Sequence, residues 1–500
     1  MFPVFQSPGD STTLQWNPIF QLTNGTDFNT DSLFLNDKIS FSKHWNFNVG
    51  VRYDKNNGKD SQGFKVSDDS AFSPRLAAQY DIKGDGRFVI NAGYAQYVTQ
   101  LADSIGDSSS PAGQPASIRW FYRGPCINCD PSAPTSSLLS QDDAIRAVFN
   151  WFNSIGGTSS NPTRDASIPG VNTKILGGSL KSPNVKEYTV GFGTALGTRG
   201  VAKIDFIHRD WDDFYALRTD QSTGHVVNQF GTTLDLGLVE NSNKFDRKYD
   251  AVQVQYSYRF AFPVFTGGSY TWSRLVGNFD SENAGSGPIT ANLQYPEYLA
   301  FQQQSLNSFG YLAGDQRHRA KVWAGYDLTT SFANFTFTAL ESYDSGRAYD
   351  ANQTIDVRPY VTNPGYAIPP SRTTYYFSAR GAFRTDDVTR TDLAMNISVK
   401  LFKYVELFVR PELLNAFNEK AFTGGRLGTD SDITVLDRAN PGSNAATAFQ
   451  AFNPFTETPV QGAPGGPGVN YALSPTFGTA IAAGGYQLPR TFRVSVGVRF

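Results

Sequence analysis

The stretch Arg490-Thr-Phe-Arg-Val-Ser-Val-Gly-Val-Arg-Phe500 decides the fold. Phe492, Val494, Val496, Val498 and Phe500 fall on one side of an extended chain, and Thr491, Arg493, Ser495, Gly497 and Arg499 on the other. Strict period two, with charge confined to one side, describes a strand between an apolar and a polar environment. The pattern recurs in Trp45, Phe47, Val49, Val51 and Tyr53, which alternate with His44, Asn46, Asn48, Gly50 and Arg52. It returns in Val252, Val254, Tyr256, Tyr258 and Phe260, and again in Leu393, Met395, Ile397, Val399 and Leu401. Each segment is about 9–13 residues long, enough for a tilted strand to cross a bilayer.

Composition agrees with this pattern. Aromatic residues make up 14% of the 500 residues and charged residues 18%, with 46 Gly but only two Met and two Cys. Half-buried strands and wide loops call for such a mixture. The net charge of −2 offers no basic face for nucleic acid. No run approaches the ~20 apolar residues of a membrane helix. The mean hydropathy of −0.35 is also what a barrel yields, because lumen-facing polar residues alternate with lipid-facing ones.

Short turns join segments 31–43 to 44–54, 73–82 to 86–97, 184–196 to 199–210, 247–260 to 263–275, 315–328 to 332–344 and 388–401 to 404–416. Between these hairpins lie long polar stretches at 55–72, 98–183, 211–246, 276–314, 345–387 and 417–489. Short turns on one side and long loops on the other mark an outer-membrane barrel. With the short turns periplasmic, parity brings the last strand down to end at Phe500 in the periplasm. About thirteen strands are expected, with a further one near Thr13–Leu22. The predicted fold class is therefore all-β, a partial transmembrane antiparallel β-barrel with about 13–14 strands over 31–500 and long extracellular loops, preceded by a loop or partial strand at 1–30. The opening MFPVFQSPGDSTTLQWNPIF has neither a basic n-region nor a sustained apolar h-region. The expectation is that the natural start lies upstream and that this chain is a fragment.

Several stretches resemble TonB-dependent outer-membrane transporters, specifically the Oar-like branch that carries a carboxypeptidase-regulatory-like domain in front. They are the final strand ending in Phe, FSPRLAAQYDIKGDGRFVINAGYAQY (72–97), NVKEYTVGFGTALGTRG (184–200), GDQRHRAKVWAGYDL (314–328), the SGRAY step (345–349) and ELLNAFNEKAF (412–422). The resemblance implies a barrel of twenty-two strands, of which this chain holds the later portion. A plug and a TonB-contacting box would be encoded elsewhere. It also implies that the assembly machinery recognises Val494, Val496, Val498 and Phe500 as an insertion signal. The implied partners are outer-membrane lipid, TonB through the plug, the barrel-assembly machinery and a bulky ligand. Selectivity is expected in loops 98–183 and 417–489. A passive porin-like or surface-adhesive barrel, and a soluble all-β carbohydrate-binding protein, are the rival readings.

Among individual residues, Arg52, Arg75, Asn91, Lys203, Asp205, Lys321, Lys400, Glu406, Arg410 and Arg499 fall on the polar side of their strands and are expected to line the lumen. Each is equally compatible with a generic wetted wall. Cys126 and Cys129 form a CxxC pair in a Pro-rich loop, compatible with a redox centre, half a zinc site or a disulfide. An exported protein meets an oxidising compartment, so a loop-stapling disulfide is expected. Ser140-Gln-Asp-Asp143 is a capping box ahead of a helix whose apolar face holds Ala144, Val148, Trp151, Phe152 and Ile155. That helix either gates the mouth or packs its own loop. Trp120, Phe121 and Tyr122 form either a ligand platform or loop packing. The acidic groups Asp210, Asp212, Asp213 and Asp430, Asp432, Asp437 lack EF-hand spacing. GAPGGPG (462–468) lacks the P-loop Lys. With four His, and neither GxSxG nor HExxH, the chain offers no catalytic centre and calls for no cofactor.

Overall fold

A computed structural model describes the chain except for residues 6–11, 20–24, 99–115, 131, 162–164, 168–172, 176–178, 220–224, 228–230, 232, 243–244, 279–308, 361–372, 403–404, 439–448 and 464–468. The predicted loop stretches 98–183, 211–246, 276–314, 345–387 and 417–489 lie partly outside the described residues, as do Lys403 of the last short turn and most of GAPGGPG.

Thirteen long strands form one antiparallel sheet in sequential order. They are β1 (Asp27–Ser40), β2 (Trp45–Lys59), β3 (Lys65–Asp81), β4 (Phe88–Val98), β5 (Asn184–Ala195), β6 (Gly200–Asp212) and β7 (Arg247–Arg259). The series continues with β8 (Val264–Gly277), β9 (His318–Thr329), β10 (Asn334–Asp344), β11 (Val388–Phe402), β12 (Val405–Leu414) and β13 (Thr491–Arg499). Every neighbour in sequence is a neighbour in space, so each register is set by its own hairpin. The short turns are built to be tight. In Lys83-Gly84-Asp85, Gly84 and Gly86 take φ of 72° and 77°, and the Asp81 carboxylate accepts the N–H groups of Lys83, Gly84 and Gly86. The sheet is a partial barrel. Among the described residues β1 and β13 are its edges, and it does not close.

Two expectations change. The stretch 55–72, expected to be a long loop, is mostly strand, because β2 and β3 run on to Lys59 and back from Lys65. Polar residues on both faces there (Asn56, Asn57, Ser67, Asp68) leave no period-two signal, which is what a strand wetted on both sides produces. Thr13–Trp16 does form a strand, but it joins a separate small sheet. It pairs with Phe2–Val4 on one side and Ser117–Phe121 on the other, and the latter pairs with Asp165–Ser167. Helix α1 (Gln141–Ser154) packs on that sheet through Ala144, Val148 and Phe152, against Leu14, Ile118 and Trp120.

The large sheet has no opposing layer. Its apolar face holds large side chains in the open: Leu35 is 72% exposed, Val496 66% and Val190 55%. A β-sandwich would bury these residues against a second sheet. Water would not tolerate so extended an apolar surface, but hydrocarbon does. Aromatic clusters bound it at both ends. Near the short turns, Trp45 meets Phe47 and Tyr80 at 5.5 and 4.6 Å, and Phe260 meets Tyr258 and Phe262 at 5.0 and 5.2 Å. Near the long loops, Tyr53 meets Phe72 at 4.9 Å, and Tyr94, Tyr188 and His208 form a chain at 5.0 and 6.1 Å. On β2 the two girdles are separated by Trp45 to Tyr53, a rise of roughly 20 Å for a strand tilted by about 40°.

Candidate functional site: the polar wall and the loop cap

Register places the predicted polar residues on one common face. Gly50, two residues from Arg52, lies opposite Arg75, and Arg75 lies opposite Ala95. Four residues back along β4 from Ala95, Asn91 lies opposite Gly191, which in turn lies opposite Asp205. Lys203 lies opposite Gln255, Gln255 opposite Ser269, and Ser269 opposite Lys321. At the far edge Lys400, Glu406 and Arg499 are successive partners, with Arg410 on the same side of β12. Apolar neighbours point the other way, including Val494, Val496 and Val498 of β13, so the last strand divides as its sequence does.

The wall is laced with ion pairs. Arg52 contacts Asp54 at 2.8 Å, Lys203 contacts Asp205 at 3.1 Å, Arg410 contacts Glu412 at 2.9 Å and Arg499 contacts Glu406 at 3.3 Å. Arg75 stacks over the Tyr97 ring at 5.4 Å. Lys321 and Lys400 have no ion-pair partner among the described residues. Further pairs on this face were not singled out from sequence: Arg209 with Glu187 at 2.5 Å, Arg319 with Asp344 at 2.9 Å, Arg390 with Asp392 at 2.9 Å and Arg493 with Glu412 at 2.7 Å. The same alternation marks them; Arg390 and Asp392 lie on one strand, but the three cross-strand pairs become visible only once the register is known. Opposite charges side by side give a polar wall with little net field.

At the long-loop end a buried charge ties three segments together. The Asp315 side chain is 0% exposed and contacts Arg384 at 2.5 Å and Arg317 at 3.8 Å. It also accepts the Leu275 N–H at 2.6 Å. Arg384 donates onward to the Asp315 and Gly346 carbonyls, and both guanidiniums lie over the Tyr311 ring at 5.1 and 4.7 Å. Gly346 of the SGRAY step permits this approach, since a Cβ there would sit 1.9 Å from the Thr385 carbonyl. Nothing in GDQRHR distinguishes Asp315 from a solvated acid, so sequence alone passes it over.

Beyond this node, the described parts of loops 345–387 and 417–489 pack together as one cap. Ile355, Val357, Tyr375, Phe377, Val435 and Tyr471 form a shared buried cluster, and the Tyr471 hydroxyl donates to the Phe377 carbonyl at 3.0 Å. A cavity of about 360 Å³ opens between them, with Asp356, Tyr360, Arg438, Gln450 and Phe452 in its lining. Selectivity is expected from sequence in loops 98–183 and 417–489; loop 345–387, which packs against the second of these, is not among them. The base of that loop is pinned by Asn415 of ELLNAFNEKAF. This residue has φ 50°, and its amide donates to the Glu419 and Leu488 carbonyls.

Several of the acidic residues make contacts within the fold. Asp212 pairs with Lys186, and Asp213 accepts from Asn184. Asp430 accepts the Arg426 N–H. Burial pushes the Asp432 carboxyl up, but hydrogen bonds from Ser474, Thr476 and Thr434 outweigh it and hold the group at about 2, against an ordinary 3.8. A depressed folded value stabilises the cap above pH 3.8, and this is lost as pH falls from 3.8 toward 2. Hydrogen exchange in 474–476 is expected to rise across that window, and in an Asp432→Asn variant the rise should vanish. Among the described residues no three His, Cys, Asp or Glu gather to hold a metal.

In loop 98–183, Cys126 and Cys129 are joined as a disulfide, with Cα atoms 5.9 Å apart. Ser140 caps α1 by accepting the Asp143 N–H. Of the predicted helix face, Ala144, Val148 and Phe152 are buried, Trp151 packs on Tyr122 and Ile155 is exposed. Trp120 and Tyr122 are buried too, so these aromatics pack the loop rather than present a platform. Replacing both cysteines with Ser is expected to lower the stability of this small unit by about 2 kcal/mol. Limited proteolysis cutting near residue 127 faster in the variant than in the parent would register that loss.

A family described as "Outer membrane beta barrel domain" matches residues 13–343. The TonB-dependent transporter Oar of Myxococcus xanthus is 24% identical over 435 residues, covering 83% of this chain and 37% of Oar. Among solved structures, the outer membrane transporter YddB from Escherichia coli is similar with a TM-score of 0.48 at 14% identity, over 79% of this chain and 42% of YddB. The ferric enterobactin receptor PfeA from Pseudomonas aeruginosa is similar with a TM-score of 0.45 at 12% identity, over 94% of this chain and 45% of PfeA. The chain thus spans less than half the length of each of these relatives, which are transporters or receptors by description.

Proposed function

Because the chain belongs to the outer membrane β-barrel domain family, we propose that it forms the barrel wall and ligand-capturing cap of an Oar-like TonB-dependent transporter. The observation that carries this reading is the ion-paired polar face, continuous from Arg52 to Arg499 and overhung at one end by co-folded loops. In this reading the apolar face meets outer-membrane lipid and the polar face lines the lumen. The long loops face outward and take up a bulky ligand. A plug, moved by inner-membrane energy through TonB, then opens the path past Arg75, Lys203, Lys321 and Lys400. The outward row Val494, Val496, Val498 and Phe500 serves as the segment that the barrel-assembly machinery recognises.

Planar-bilayer conductance of the full-length protein in potassium chloride tests this reading. A plugged transporter is expected to be electrically silent until the plug is deleted or unfolded with urea. A pore that conducts constitutively would overturn the reading in favour of a passive porin-like barrel.

A further inference from the structure

We propose that the opening between β3 and β4 at the long-loop end is a binding subsite for an organic cation, a primary ammonium or guanidinium group; this rests on the capture role above. The two strands pair only from Asp81–Val89 up to Arg75–Ala95, although β3 extends to Lys65 and β4 to Val98. The segment Ser179–Asn184 crosses the resulting gap. Leu180 donates its N–H to the Val66 carbonyl at 2.8 Å, and Asp68 donates its N–H to Ser179 at 2.9 Å. Asn184 then lies opposite Val98 as the first residue of β5. The frame encloses a cavity of about 490 Å³ in the wall.

Its lining is rich in acceptors. Asp69 accepts the Ser182 N–H at 2.9 Å, and Asp213 accepts from the Asn184 amide at 2.9 Å. The other half of that amide, the Asn184 Oδ1, is buried in the same lining and accepts no hydrogen bond, on a residue only 9% exposed. A buried carbonyl left in this state is destabilising unless a donor reaches it. Nearby, the fully buried Tyr215 hydroxyl also lacks a partner. Burial first, and then the charges of Asp69 and Asp213, push its pKa up, so both carboxylates act on one buried point.

Asp68 is a different case. Lys55 and Lys65 both bridge it, so its charge is already answered. Lys181 also contributes to the lining, but it is exposed. A group carrying several N–H donors and a positive charge matches the remaining acceptors, Asp69, Asp213 and the Asn184 carbonyl. A metal ion needs its ligands within about 2.6 Å of one point, and among the described residues no three His, Cys, Asp or Glu gather in this way. The volume instead suits a larger cation. Its source is either a free amine or a Lys or Arg side chain on a polypeptide ligand.

Isothermal titration of the full-length protein in detergent, at fixed ionic strength, tests the site with two probes: spermidine and an end-blocked Ala-Arg-Ala tripeptide. At least one probe is expected to bind saturably, and at least tenfold more weakly in Asp69→Asn/Asp213→Asn. Lys181→Gln, an exposed change that should leave folding intact, is expected to tighten binding two- to fivefold. Binding of spermidine alone assigns the site to free amines, and binding of the tripeptide assigns it to polypeptide. The proposal is overturned if neither probe binds, or if Lys181→Gln leaves the affinity unchanged. A protein that is silent in this titration yet plugged in the bilayer would remove this subsite and leave the transporter reading standing.

Discussion

Replacing Asp315 with Ala is expected to loosen the junction between wall and cap by about 3 kcal/mol, the low end of the range for breaking a buried ion pair. The Asp315 carboxylate is fully enclosed, while Arg317 and Arg384 are 28% and 30% exposed. Removing the acid strands two guanidiniums beside the Tyr311 ring, but water reaches them in part, which limits the cost. The Leu275 N–H loses its acceptor as well. Because Arg384 also holds the Gly346 carbonyl, the disturbance should spread into loop 345–387 and leave the short-turn end intact. Hydrogen exchange in detergent would show this as faster exchange at 311–317 and 346–385 with unchanged protection in β9 and β10. Uniform loss of protection, or none, would contradict the role assigned to Asp315.

Val254→Arg is expected to cost about 2–4 kcal/mol, whereas Gln253→Arg one residue away should cost less than about 1 kcal/mol. Val254 lies midway along the apolar side of β7, opposite Ile204 and Tyr270. Its neighbour Gln253 lies opposite Asp205 and Thr271 on the polar wall. A guanidinium at Gln253 gains a carboxylate neighbour and water, while at Val254 it meets hydrocarbon. The heat-modifiable fraction of the full-length protein in outer membranes measures the difference on a denaturing gel. Equal behaviour of the two variants would mean that both faces are wetted, and the barrel assignment would fall.

Much of the wall is legible in the amino-acid sequence. Strand limits at 184–195, 247–259 and 334–344 fall within a few residues of those expected from alternation, because a strand between lipid and water writes its two environments directly into successive residues. That Arg52, Arg75, Lys203, Lys321 and Arg499 lie on the polar face was legible for the same reason, since facing is a local property. Overhanging strands were not, because above the girdles both faces are wet and the alternation disappears. Asp315 and Asn184 were not legible either. Their importance comes from burial by segments far along the chain, and an Asp or Asn in a polar loop carries no mark of that.

Sequence by itself therefore determined that this is an antiparallel outer-membrane barrel wall, which side of each strand is polar, and that Phe492, Val494, Val496, Val498 and Phe500 share the apolar row. Only the tertiary structure decided how the long loops are organised. Leu14 packs with Trp120 and Phe152. Phe377 packs with Tyr471, and Asn184 helps to close a gap between β3 and β4. Hairpin neighbours are adjacent in the chain, so period and turn chemistry suffice to pair them. The loop contacts join residues about a hundred positions apart, and only burial selects them.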